Sequence, residues 1–256
     1  MKIKTPYSSW NFKKLILCHL LVLFLLGTLF FPSIQQFFWK PIDEGFFKFL
    51  KSLIQNSPFW QNFWAMANHR GADFLEDGIF IAFFIWVLKT TAPTERREKA
   101  AEFLFFLLYS AAIILLVNDF IFRQCLHIKR QSPSLIFNSM ERLSEQVSWL
   151  KVKDKAGNSF PADHATTALL FISSFLYLSR KKRIRIAAIS YGIFLCIPRL
   201  IAGAHWLSDI LVGSLSIIII LGSWAFYTPF ARFSMKKIDL FLQIKFPSLE
   251  KNKEVI

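Results

Sequence analysis

The sequence predicts an all-α integral membrane protein: a six-transmembrane-helix bundle with interfacial helices on its outer face. Three observations carry this prediction. Apolar runs near the roughly 20 residues that cross about 30 Å of hydrocarbon recur along the chain. The 256 residues are 54% hydrophobic, with a mean hydropathy of +0.40. Thirty Phe and eight Trp suit lipid-facing helices bordered by aromatic belts. One membrane domain over residues 1–256 accounts for all of this, with no soluble unit attached.

In chain order, the candidate spans are Leu15–Phe31, Phe74–Thr90, Ala100–Phe122, Ala165–Leu178, Ile186–Ala202 and Asp209–Tyr227. The first has the look of a signal peptide, but no small-residue cleavage site follows it, so it reads as an uncleaved anchor. Glu44–Asn68 is aromatic-rich and interrupted by Lys48, Lys51 and Pro58. It reads either as helices lying in the interface with their rings at headgroup depth or as a simple packed lid. Ser132–Lys155 is polar and reads as the most irregular stretch.

Charge sets the orientation. The net charge is +14, and most of it sits in short segments between apolar runs. That pattern points to topology and anionic lipid, and away from nucleic acid. Lys2, Lys4, Lys13 and Lys14, the loops KTTAPTERREKA and SRKKRIRI, and Arg232, Lys236, Lys237 and Lys245 share one side of a six-span chain. That side is expected to be the cytoplasm, with both termini on it. Cys18, Cys125 and Cys196 have no metal-site spacing and read as thiols outside any disulfide framework.

The polar residues then gather at the opposite face. Arg123, Lys129 and Arg130 follow the third span, Asp163 and His164 precede the fourth, and Arg199 ends the fifth. His205 and Asp209 open the sixth. Ionisable groups at such depth are costly and mark functional sites. His205 and Asp209 stand four apart, the spacing of one helix face. A carboxylate there bonds one ring nitrogen and leaves the other free to attack. Arginine forks suit phosphate, and His164 suits protonation of a leaving oxygen. The set describes phosphoryl transfer with guanidinium groups in place of metal ions and no cofactor. His19, His69 and His127 read as structural, Lys151, Lys153 and Lys155 as interfacial. Asp73, Glu76 and Asp77 read as acids at a helix start.

PRLIAGAHWLSD resembles the third signature, S-R-x5-H-x3-D, of the type 2 phosphatidic acid phosphatase superfamily, with Pro198 in place of Ser. FPADH resembles the second, P-S-G-H, with Ala162 and Asp163 replacing Ser and Gly. Arg123 and Arg130 keep the spacing of the first, K-x6-R-P, while the proline is displaced to Pro133. The resemblance covers about 123–213. It implies that His205 attacks phosphorus and forms a phosphohistidine, that Asp209 supports it, and that His164 protonates the leaving group. Arg123, Arg130 and Arg199 would hold the phosphoryl oxygens, with Lys129 beside them. Asp163 would repel substrate unless paired, for instance with an arginine.

PADH with PRLIAGAHWLSD looks most like the branch of inner-membrane lipid A phosphotransferases. That branch implies transfer of phosphate from undecaprenyl pyrophosphate to the 1-position of lipid A, at the periplasmic side of the bacterial inner membrane. The same residues would serve a hydrolase of undecaprenyl pyrophosphate, lipid A or another lipid phosphate, with water as acceptor. A non-enzymatic lipid-binding or transport protein is the third reading. A transporter should show helices broken at the midplane or repeat symmetry, and the sequence has neither signal.

Overall fold

The computed structural model describes residues 9–126, 128–137 and 139–246, with the side chain of Arg123 outside that description. Lys2, Lys4 and His127 also lie outside the described residues. The described residues are helical, with no β-strand among them. Helix α1 spans Phe12–Phe30 and is capped by Asn11, whose Oδ1 accepts from the Lys14 amide at 3.1 Å. Short helical turns over Pro32–Ile34 and Gln35–Trp39 lead into α2, Lys40–Ile54. Ser57 caps α3, Pro58–Ala67, and Pro58 occupies its first position, where a missing N–H costs nothing. His69 caps α4, Arg70–Lys89, by accepting from the Gly71 amide at 3.0 Å.

Helix α5, Arg96–Ala112, continues as a π-helix through Ile113–Leu126. Two short helices, Pro133–Ile136 and Leu143–Gln146, interrupt an otherwise irregular stretch. Helices α6, Asp163–Leu178, and α7, Lys182–Ile201, form a hairpin. A π turn, Asp209–Ser214, opens α8, Leu215–Phe226. Helix α9 covers Phe230–Lys245.

Four segments are long and apolar enough to cross a membrane: Phe12–Phe30, Pro93–Leu126, Lys182–Ile201 and Asp209–Phe226. They coincide with the first, third, fifth and sixth expected spans. Helices occur at the second and fourth positions too, but with different character. The 20 residues of α4 begin at Arg70 and carry Asp73, Glu76 and Asp77 in their first turns, and α6 has only 16 residues. The chain is a membrane protein by these helices. Large side chains such as Phe24, Phe37 and Phe74 stand well exposed, as lipid-facing residues do.

Burial away from water is a weak drive between helices in lipid, so close packing must hold the bundle. α6 packs on α7, α9 on α5, and α1 on α8. Gly192 lets α7 approach α6: a Cβ there would lie 2.3 Å from Ile172 Cγ1. Phe80, Phe83, Phe171 and Phe175 interlock edge-on and tilted, with Phe171 and Phe175 centroids 4.8 Å apart. One end of the bundle is tied by Arg97 to Asp239 at 2.8 Å and by the Asn11 amide to the Tyr227 carbonyl at 2.8 Å. At the other end Leu50, Ile54, Leu143, Val147, Leu200 and Ile210 form a separate core. Ala162 and Ala165 of that core flank Asp163 and His164 in the chain.

Candidate active site

Local structure delivers each side chain. Helix α7 ends in a glycine cap: Gly203 takes φ +77° and its amide donates to the Leu200 carbonyl at 3.1 Å. A Cβ at that position would sit 2.8 Å from the Phe47 ring, so sterics and backbone both require glycine. The reversal places His205 and Trp206 ahead of the π turn. On the facing side, α6 starts at Asp163, with His164 in its first turn. The Arg130 segment runs beside them, its carbonyl accepting from the Ser159 amide at 2.7 Å.

His205 is buried, and its Nδ1 lies 2.7 Å from the Ser159 carbonyl oxygen. A carbonyl only accepts, so Nδ1 carries the proton and Nε2 is the nitrogen available for chemistry. Nε2 is 3.5 Å from Asp163 Oδ1, and Nδ1 is 3.8 Å from Asp209 Oδ2. The expectation that one helix face carries His205 and Asp209 is therefore corrected: His205 lies in the turn before the helix. The Ser159 carbonyl, closer than Asp209, orients the ring. Asp209 is fully buried, and its oxygens are engaged elsewhere, Oδ2 by the Trp206 amide at 2.8 Å and Oδ1 by Arg130. Burial alone would push the His205 pKa down. Hydrogen bonds to Asp163 and Asp209 outweigh it and raise the imidazole to about 9.

Arg130 is not an open phosphate clamp. Nη1 donates to Asp209, and Nη2 donates to Asp43 Oδ2 at 2.8 Å and to Ser208 Oγ at 2.9 Å. Asp43, on α2, is buried and also accepts from the Ser208 amide at 2.9 Å and hydroxyl at 2.5 Å. Burial raises its carboxyl pKa, and the bonds from Ser208 and the charge of Arg130 offset only part of that rise. Two carboxylates thus share one guanidinium, a buried arrangement whose desolvation cost requires all three partners. The guanidinium also lies 5.8 Å from the Trp206 ring centroid.

A second cluster surrounds His164. Its Nδ1 is 3.1 Å from Asp163 Oδ1, and its Nε2 is 2.6 Å from Arg199 Nη2. Arginine only donates, so Nε2 accepts here and holds no proton. A role as proton donor at Nε2 requires Arg199 to turn away first. Arg199 is itself buried and bonded through Nη1 to the Asn68 side chain, whose Nδ2 donates to the Lys153 carbonyl at 3.2 Å. Asp163 sits between the two imidazoles, with Lys153 Nζ 3.7 Å from its Oδ2 and the charge of Arg199 nearby. The acid feared as a source of repulsion has histidine neighbours, and Lys153, read as merely interfacial, is one of its cations. Asp73 Oδ1 lies 3.8 Å from His164 Nε2.

Six of the expected residues, His205, His164, Asp163, Asp209, Arg199 and Arg130, therefore meet. Lys129 lies in the wall of a neighbouring cavity. Arg123 falls in the π-helix, and its side chain is outside the described residues. Sequence reasoning missed Asp43, Asn68, Ser159 and Ser208. Asp43 had a signal, a carboxylate inside an aromatic-rich apolar stretch. The Ser159 carbonyl had none, because every residue type offers one.

The sequence profile of the PAP2 superfamily matches residues 103–233. The chain is 30% identical over 226 residues to the lipid A 1-diphosphate synthase of Escherichia coli (strain K12), covering 86% of this chain and 89% of that protein. No solved structure matches the chain at a significant level. Asp43 and Asn68 lie outside the stretch that the family profile covers.

Proposed function

The chain belongs to the PAP2 superfamily, and on that premise we propose that it is a lipid phosphotransferase. It moves the terminal phosphate of undecaprenyl pyrophosphate to the 1-phosphate of lipid A. The work is done at the periplasmic side of a bacterial inner membrane by one six-span domain with both termini in the cytoplasm. The interfacial helices α2 and α3 lie on the outer face. One observation carries the reading: Nδ1 of buried His205 is committed to a carbonyl, which leaves Nε2 as a directed nucleophile among arginines. The name of the similar Escherichia coli protein supports this choice of acceptor.

The chemistry balances in two steps. The reacting form is the one in which His205 Nε2 has lost its proton to water, and that nitrogen attacks the terminal phosphorus. An N–P bond forms, the bridging P–O bond breaks, and undecaprenyl phosphate leaves. Arg199 swings from His164 to the phosphoryl oxygens, so His164 can carry a proton at Nε2 and pass it to the leaving oxygen. A 1-phosphate oxygen of lipid A then attacks the same phosphorus, the N–P bond breaks, and His205 is restored. Once Arg199 has turned, its guanidinium stabilises the charge that develops on the phosphoryl oxygens, which suits a metal-independent transfer.

The test uses purified protein in detergent and undecaprenyl pyrophosphate labelled at the terminal phosphate, with and without lipid A. Label entering lipid A, with little free phosphate in its absence, is the expected result. Rapid release of free phosphate without lipid A would replace this reading with a hydrolase. A His205→Ala protein that still transferred label would remove the phosphohistidine.

A further inference from the structure

Two cavities flank the cluster, and their chemistry differs. One, of about 510 Å³, has Pro198 in its wall beside Arg199 and is lined mainly by apolar side chains such as Phe63, Ile79 and Phe194. No lysine or arginine lines it. The other, of about 590 Å³, lies between α2 and the Lys129–Gln131 segment, with Arg130 and Trp206 in its wall. Lys40, Asp43 and Glu44 are three and four residues apart, so one face of α2 presents all three to it. Asp43 is committed to Arg130 and Ser208, and Glu44 to Lys48 at 3.7 Å. Among the described residues, neither Lys40 nor Lys129 makes an ion pair. The cavity thus offers two ammonium groups, amides and an indole edge, a set that fits an anionic sugar better than a hydrocarbon chain.

We propose that this cavity, walled by Lys40, Lys129, Gln131 and Trp206, binds the phosphorylated sugar headgroup of the acceptor lipid. The inference rests on the phosphotransferase reading above and adds to it the place where the acceptor docks. The two lysines take the phosphate, the amides take ring hydroxyls, and Trp206 supplies an apolar wall. Arg130, in the wall of this cavity, also bonds Asp209 of the histidine cluster, which links the two. The Trp206 indole Nε1 donates to the Gln131 carbonyl at 2.8 Å, which fixes the ring against that wall.

Transfer through a phosphohistidine splits into two measurable halves. The full chain in detergent is mixed with labelled undecaprenyl pyrophosphate, and label on the protein is followed by rapid quench. Discharge is then measured with lipid A, with soluble glucosamine 1-phosphate, and with inorganic phosphate. In Lys40→Gln the label should load within about twofold of the parent rate. The KM for lipid A should rise about tenfold in Lys40→Gln and in Lys129→Gln, the size of one charged hydrogen bond. Lys155→Gln, outside the cavity, should leave that KM unchanged, which excludes a general attraction of anionic lipid. Discharge by glucosamine 1-phosphate with the same loss in the variants assigns the site to the sugar phosphate. Equal discharge by inorganic phosphate overturns the sugar part. A parental KM in the double variant, or slow loading with a parental KM, overturns the inference. A parent protein that never loads label overturns the phosphotransferase reading itself.

Discussion

Replacing Asp163 by Asn tests how the nucleophile is held. His205 stands at about 9, against an ordinary 6.5, because Asp163 and Asp209 both favour its charged form against the pull of burial. At pH 7 only about one free enzyme molecule in a hundred then has a neutral Nε2. The free-enzyme rate constant, kcat/KM, should therefore climb about tenfold per pH unit from pH 6 and level off near pH 9. Asp163 makes the leading hydrogen bond among the interactions that raise His205, with Asp209 acting beside it. In Asp163→Asn the climbing limb should move acidward, by about one pH unit. The assay is initial label transfer to lipid A between pH 5.5 and 9.5, at donor concentrations well below KM. A parent profile that is flat from 6 to 9, or a variant limb that does not move, refutes the reasoning. The same geometry makes a stability statement. A raised imidazole contributes stabilisation that is complete below pH 6.5 and is lost as pH rises through about 9. The parent should lose thermal stability over that window, and Asp163→Asn should lose less.

Three further outcomes are expected. Asp43→Asn keeps the shape but breaks the charge-assisted bond to Arg130, at a cost of about 1.5–3 kcal/mol. The kcat should fall roughly tenfold to a hundredfold with KM for undecaprenyl pyrophosphate little changed, as read by steady-state label transfer; a parental kcat would make Asp43 a bystander. Arg130→Gln leaves Asp43 and Asp209 facing each other without a cation and should cost at least about 2 kcal/mol, roughly thirtyfold in kcat/KM. A larger loss in Lys129→Gln than in Arg130→Gln would reassign the first signature. Activity should survive EDTA, because the charge balance in the cluster is supplied by guanidinium groups; loss of activity restored by a divalent cation would contradict that.

Much of the fold was legible because lipid imposes a length and an apolarity on any helix that crosses it. Those demands marked Phe12–Phe30, Pro93–Leu126, Lys182–Ile201 and Asp209–Phe226 directly. Helices α4 and α6 were found by position, yet they are charged or short, since they border the polar cluster. Residue type and spacing were enough to nominate Arg199, His205 and Asp209, because charge in an apolar run is expensive and rarely idle.

What partners those residues take is a different kind of fact. Spacing places His205 and Asp209 four apart, but the glycine cap at Gly203 takes His205 off the helix, and a backbone carbonyl 46 residues away orients it instead. Arg130 carries the same fork in any context. Only the fold brings Asp43 from α2 to it and turns an expected phosphate clamp into the bridge between two buried carboxylates. The sequence by itself determined that this is a helical membrane protein with a histidine-centred polar face, since hydrophobic length and ionisable residue types are local properties. The tertiary structure alone decided the hydrogen-bond partners, because a buried charge is satisfied by whatever the packing brings within 3 Å, however distant in the chain.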